Sequence, residues 1–136
     1  MEKAEVVKLE IPGSAEFVAV ARKTVDGITS RISITERELE DIKLAVGEAC
    51  SNAVKFGDPN KNICILYRIH PDYLEVEVRN KGDHFRKKDM HPKAPQPEQL
   101  PEGKIGLYLI DRVMDEMNIN TANGETVVKM VKRLSR

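Results

Sequence analysis

Glu48 and Asn52 stand four residues apart in the stretch VGEACSNAV, a spacing that puts both side chains on one side of a helix. The two types complement one another around a phosphate. A neutral amide oxygen ligates a hard cation such as magnesium without adding charge, and a neighbouring carboxylate can take the proton of an attacking hydroxyl. The same pair also describes a polar border on an apolar stripe, which carries no chemistry. A second feature bears on the choice. Gly82 and the run Gly103-Lys104-Ile105-Gly106 bracket a long polar segment, the run standing where a helical pattern begins. Free backbone N–H groups at a helix N-terminus attract phosphate, and glycines let the backbone come close to it. Lys87, Lys88, Lys93 and Lys104 add cations nearby. The two commonest phosphate cradles, GxxxxGK[ST] and GxGxxG, are absent from the sequence. No Ser-His-Asp or Cys-His arrangement can be drawn, and His70, His84 and His91 lack metal-ligand spacing. Cys50 and Cys64 belong to no CxxC pattern and are expected as reduced, packed thiols.

The elements that must position these residues are legible from periodicity. Residues Lys3 to Ile11 alternate weakly and end at Pro12-Gly13, reading as a first strand. Ser14 is placed to cap a helix carrying Phe17, Ala21, Val25, Ile28 and Ile32 at helical spacing. A second helix opens on Thr35-Glu36-Arg37-Glu38, a capping box, and runs through Leu39, Ile42, Val46, Ala49 and Ala53 to a stop at Gly57-Asp58-Pro59. Two alternating strands follow, Ile63 to His70 and Tyr73 to Arg79, joined at Pro71-Asp72. Between Lys81 and Gly103 periodicity disappears among four prolines, as in a lid or disordered loop. A third helix is expected over Ile105, Leu109, Ile110, Val113 and Met117, and two last strands turn at Asn123-Gly124. The order β-α-α-β-β-lid-α-β-β describes an α+β two-layer sandwich with its helices on one face.

Composition narrows the function classes. The chain has 136 residues, within the range of one domain, and 32% of them are charged while 40% are hydrophobic. Lys plus Arg equals Asp plus Glu at 22 each. A general nucleic-acid binder needs a cationic surplus to displace phosphate counterions, so that class is disfavoured. No apolar run suits a signal peptide or a bilayer span, and a cytoplasmic location away from membranes is expected.

Three segments in order, VGEACSNAV, VRNKGDHF and EGKIGLYLIDRVMDEM, resemble the nucleotide-site boxes of the GHKL ATPase superfamily. Within it the chain is similar to the anti-sigma-factor serine kinases of the RsbW and SpoIIAB type, over about Ala4 to Leu134. The resemblance implies one histidine-kinase-like ATPase domain over 1–136, with an ATP lid at about 83–104. It also implies the Bergerat fold, a mixed, mostly antiparallel sheet with three helices on one face. The ligands would be ATP and Mg2+. Asn52 matches the magnesium-holding asparagine, Glu48 the acidic residue that accepts the substrate serine's proton, Gly82 the glycine under adenine and Gly106 the glycine at the phosphate end of the lid. Gly103, Lys104, Ile105 and Leu107 fall in the same nucleotide-binding box, and Arg22 where the family contacts protein partners. A sigma factor and a STAS-domain antagonist would be those partners, and the protein a homodimer.

Two positions depart from the family pattern. Asn80 stands where an adenine-reading aspartate is usual, trading one accepting oxygen for a donor. A buried donor–acceptor mismatch costs about 1–3 kcal/mol, or roughly five- to two-hundred-fold in affinity. That donor could face guanine O6, so GTP is an alternative ligand. Lys104 stands where a lid glycine is usual; at a left-handed position it would cost about 1 kcal/mol. Together the departures leave a second function open, a sigma- or STAS-binding module with a degenerate nucleotide site.

Overall fold

The computed structural model describes residues 5–82 and 104–135. Strand β1 (Glu5–Ile11) leads through a 3-10 turn (Ala15–Phe17) into α1 (Val18–Ile28); a second 3-10 turn (Thr29–Arg31) precedes α2 (Glu36–Phe56). Strands β2 (Ile63–Ile69) and β3 (Tyr73–Lys81), helix α3 (Lys104–Val113), and strands β4 (Glu116–Ala122) and β5 (Glu125–Arg133) complete the order.

The strands form one sheet in the order β1-β2-β3-β5-β4. Every pairing is antiparallel, so the mixed component expected of the sheet has no counterpart among the described residues. The reason lies in the connections. A tight hairpin joins each of the pairs β2-β3 and β4-β5, and the two helices between β1 and β2 return the chain so that these strands also run in opposite directions.

Period-two alternation selects the face that is buried. Ile63, Ile65, Tyr67 and Ile69 of β2, Leu74, Val76 and Val78 of β3, and Val128 and Met130 of β5 all point into the core. The helices cover this face, α2 packing against β2, β3 and β5, with α1 and α3 on its flanks. Ile42, Ala45, Val46, Ala49, Cys50 and Ala53 form the buried stripe of α2. With few aromatics available, aliphatic side chains fill the layer, and Tyr67 donates its hydroxyl to the carbonyl of Ala21 at 2.8 Å, tying β2 to α1. Cys50 is a free thiol whose pKa burial pushes up to about 12, and Cys64 is likewise unpaired with another cysteine.

Several expected boundaries move. Lys3 lies outside the described residues. Ser14 makes no side-chain cap; its hydroxyl bonds Glu16 instead, and α1 begins only at Val18, leaving Phe17 at the surface. The capping box of α2 is present in both directions, Glu38 N–H to Thr35 Oγ1 and Thr35 N–H to Glu38 Oε1. Met117 belongs to β4 rather than α3, because Met114 ends the helical stripe and Asp115 N–H already bonds β5 at Val131. Strand β3 runs two residues beyond Arg79, which brings Asn80 onto the inner face. At the last hairpin Asn123 and Gly124 both have positive φ, 56° and 72°, as a two-residue type I′ turn demands.

Candidate functional site

Helix α2 carries the site along its last three turns. Glu48 is half-buried and Asn52 is buried, both facing the first turn of α3. The contact is close: a Cβ placed on Gly106 would lie 2.8 Å from Glu48 Oε1 and 3.2 Å from the Asn52 amide nitrogen. A side chain there would meet the end of the Glu48 carboxylate, which would have to shift aside to admit it. A ten-residue helix thus starts above a carboxylate and an amide, with its positive end directed at them. Asn52 can supply one oxygen to a cation. Magnesium needs no more from protein than one or two ligands when substrate phosphates complete its shell.

Five residues past Asn52, α2 ends at Gly57, and here Asn80 meets it. A Cβ on Gly57 would collide with the Asn80 amide nitrogen, which donates to the carbonyl of Lys81 at 3.0 Å. The nine residues from Glu48 to Gly57 span about 14 Å at 1.5 Å rise per residue. That is the length scale of an extended nucleoside triphosphate, which could run from Glu48, Asn52 and Gly106 at one end to Asn80 at the other. The residues present therefore fit such a ligand.

Gly82 closes the base end. Its φ of 117° is open to glycine, its N–H donates to Gly124 at 2.6 Å, and its carbonyl accepts the hydroxyl of Thr126. Thr126 is fully buried and stands opposite Asn80 in the β3–β5 register. Gly82 at the end of β3 and Lys104 at the start of α3 are the described residues on either side of 83–103; the expected lid, with Gly103, His84, His91, Lys87, Lys88 and Lys93, lies outside the described residues.

Lys104 opens α3 in helical conformation, so the left-handed penalty anticipated for lysine does not arise. Ile105 is exposed at 39%, while Leu107 is packed in the core at 4%. Spacing explains the difference: Leu107, Ile110 and Met114 form the inward stripe, leaving Leu107 only its backbone to offer a ligand.

Arg22 lies across α2 from α1, its Cδ 3.0 Å from where a Gly47 Cβ would be. It lines a cavity of about 260 Å³ with Val18, Leu44, Gly47, Glu48 and Ser51. Glu48 consequently stands between the first turn of α3 and this α1–α2 groove. A larger hollow of about 650 Å³ opens on the outer face of the sheet, across Glu77, Arg79 and Lys129. We place no chemistry there: Glu77 is paired with Arg68 and Arg79, and none of the candidate nucleotide-site residues lines it.

Sequence reading alone missed Gly57, Thr126 and Gly47. Gly57 is visible only as a helix stop, and Thr126 only as a strand residue; their neighbours in space come from elements distant in the chain. No helix among the described residues is long and apolar enough to cross a membrane.

Comparisons with known proteins show the family and the fold. The profile of the family described as Histidine kinase-like ATPase domain matches residues 11–132. The chain is 38% identical to Serine-protein kinase RsbW of Bacillus subtilis, over 97% of this chain and 88% of that protein. It is 37% identical to Serine-protein kinase RsbW of Bacillus velezensis, over 96% and 87%. Among solved structures, the RsbU and RsbW domains of a Mycobacterium tuberculosis protein superpose with a TM-score of 0.70 at 20% identity, covering 96% of this chain and 33% of that longer one. At that identity the likeness speaks for the fold.

Proposed function

The chain belongs to the histidine kinase-like ATPase family and, within it, to the RsbW serine-protein kinases, and from that premise we propose that it transfers phosphate from ATP to a serine of a protein antagonist while also sequestering a sigma factor. The observation that carries the reading is the close meeting of Glu48, Asn52 and Gly106, three residues from two helices.

ATP with Mg2+, when bound, supplies the phosphoryl group and the counter-charge that phosphoryl transfer needs. Asn52 would hold the cation through its side-chain oxygen. Glu48 would accept the serine hydroxyl proton on a carboxylate oxygen, its reach limited on one side by Gly106. The backbone N–H groups of Lys104, Ile105, Gly106 and Leu107, at the head of α3, would face phosphate oxygens. Gly82 and Asn80 would receive the base. Positioning and charge stabilisation dominate this chemistry, so few side chains suffice.

The acceptor would reach Glu48 from the groove between α1 and α2, where Arg22 is placed to meet a partner's carboxylate or backbone carbonyl. We take that acceptor to be a STAS-domain antagonist, and the switch to be competition between it and the sigma factor for a cytoplasmic homodimer. The position of Glu48 against Gly106 favours catalysis over a binding module with a dead site.

The test is direct. Purified protein, Mg-ATP and a cognate STAS protein are incubated, and added phosphate on one serine is sought by mass spectrometry. Glu48→Ala should abolish the modification while sparing ATP binding, and Asn52→Ala should lose both. Tight partner binding with a flat Mg-ATP titration would instead establish the non-catalytic module.

A further inference from the structure

Lys132 occupies an inner-face position of β5, where alternation calls for an apolar side chain. Met130 and Leu134 on either side of it are both buried in the core, and in the β3–β5 register Lys132 stands opposite the buried Leu74. Its side chain is 13% exposed. A cation so enclosed is costly unless its donors find partners. Nζ donates to Asp41 Oδ2 on α2 at 3.0 Å and to the carbonyl of Val113, the last residue of α3, at 2.6 Å. That carbonyl is one that a helix end leaves without an intrahelical partner, at the negative end of the helix dipole. One ammonium thus joins β5, α2 and α3.

Spacing gives this join a consequence. Asp41 lies seven residues before Glu48 on α2, and Val113 seven residues after Gly106 on α3. Seven residues make nearly two helical turns, about 10 Å. The two helices therefore run antiparallel and meet twice on matching faces, once through Lys132 and once where Gly106 closes on Glu48 and Asn52. We infer that Lys132 is a positioning residue for the proposed site: by fixing the far end of this two-turn contact it sets how the head of α3 stands over Glu48 and Asn52. The inference rests on the nucleotide reading given above. A tilt of about 10° about Val113 would carry Gly106 roughly 2 Å. Misplacement by about 1 Å can cost on the order of 100-fold in rate. Asn80 and Gly57, assigned to the base, lie outside α3, so rate and affinity should come apart.

Lys132→Met keeps the apolar stem and removes the ammonium; Lys132→Met/Asp41→Asn also removes the charge left behind. Both are compared with wild type, as the full chain, by thermal melts, Mg-ATP calorimetry and single-turnover phosphate transfer to the same protein acceptor. The double variant should melt within a few degrees of wild type and bind Mg-ATP within a few-fold, yet transfer phosphate about tenfold or more slowly. Lys132→Met should be as slow, whatever its melting temperature. A wild-type rate in the double variant would overturn the inference, since only an unpaired charge would then have mattered. So would a loss of rate matched by an equal loss of Mg-ATP affinity, or a double variant that melts far below wild type, which would assign Lys132 to the fold alone. Wild type that neither binds Mg-ATP nor transfers phosphate would defeat the nucleotide reading, and this inference with it.

Discussion

Glu48 and Gly106 form the contact on which the proposed chemistry would turn, and each can be changed with a distinct outcome. A positioned general base contributes about 10²–10⁴-fold to rate. Glu48→Ala should therefore lower turnover by about that factor while the ATP dissociation constant stays within a few-fold, measured by phosphate incorporation and calorimetry. Gly106→Ala separates stability from function. Alanine is favoured over glycine by up to about 1 kcal/mol in a helix interior, and by less in the first turn, where Gly106 stands. The new Cβ meets the far end of a flexible Glu48 side chain, at 2.8 Å, rather than backbone. The fold should survive unchanged or slightly stabilised in a thermal melt. Glu48 must still move aside, and phosphorylation should fall by tenfold or more. A variant of full activity would remove Glu48 from the role assigned to it.

Helix α2 is the element that carries the site, and its N-terminus is secured far from it. The Glu38 carboxylate accepts the Thr35 N–H at 2.9 Å and both the N–H and hydroxyl of Ser135 at 2.8 Å. The backbone hydrogen bond from Thr35, foremost, with those from Ser135, holds its pKa down at about 2 against an ordinary 4.5. The sign follows from linkage: a depressed carboxylate stabilises the fold fully above its unfolded pKa, and the contribution fades as pH falls from about 4.5 towards 2. Glu38→Gln should thus lower the melting temperature at pH 7, a cap of this kind being worth about 0.5–2 kcal/mol. The gap between variant and wild type should narrow as the melts are repeated towards pH 2. A constant gap across that range would mean that packing, not the charge, supplies the effect.

For the whole molecule, ligand binding and folding would be linked because α2, α3 and β3 all contribute to the proposed site. Ligand at a hundred times its dissociation constant adds about 2.7 kcal/mol to the folded state. In a domain of this size that raises the melting temperature by on the order of 10 °C. Mg-ATP should produce this shift in wild type, and Asn52→Ala should lose most of it. A shift of equal size in the variant would place the nucleotide elsewhere.

Much of this was legible in the chain. The capping box at Thr35, the inward stripe of α2 and the Asn123-Gly124 turn are local signals, set by hydrogen bonds within a few residues and by periodicity, and the structure contains all three. Glu48 and Asn52 were marked by helical spacing. The last turn of β3 was not, because Asn80 interrupts an apolar alternation that the backbone nonetheless continues. What the amide of Asn80 does could not be read from its type, since asparagine offers a donor and an acceptor at once. Only the folded chain decides which arm is used, by setting the Lys81 carbonyl and Gly57 from a helix end against one side of it. Local bonding wrote the elements into the sequence; the direction of a buried polar group was settled by the adjacent Lys81 carbonyl together with Gly57, brought there from the end of another element.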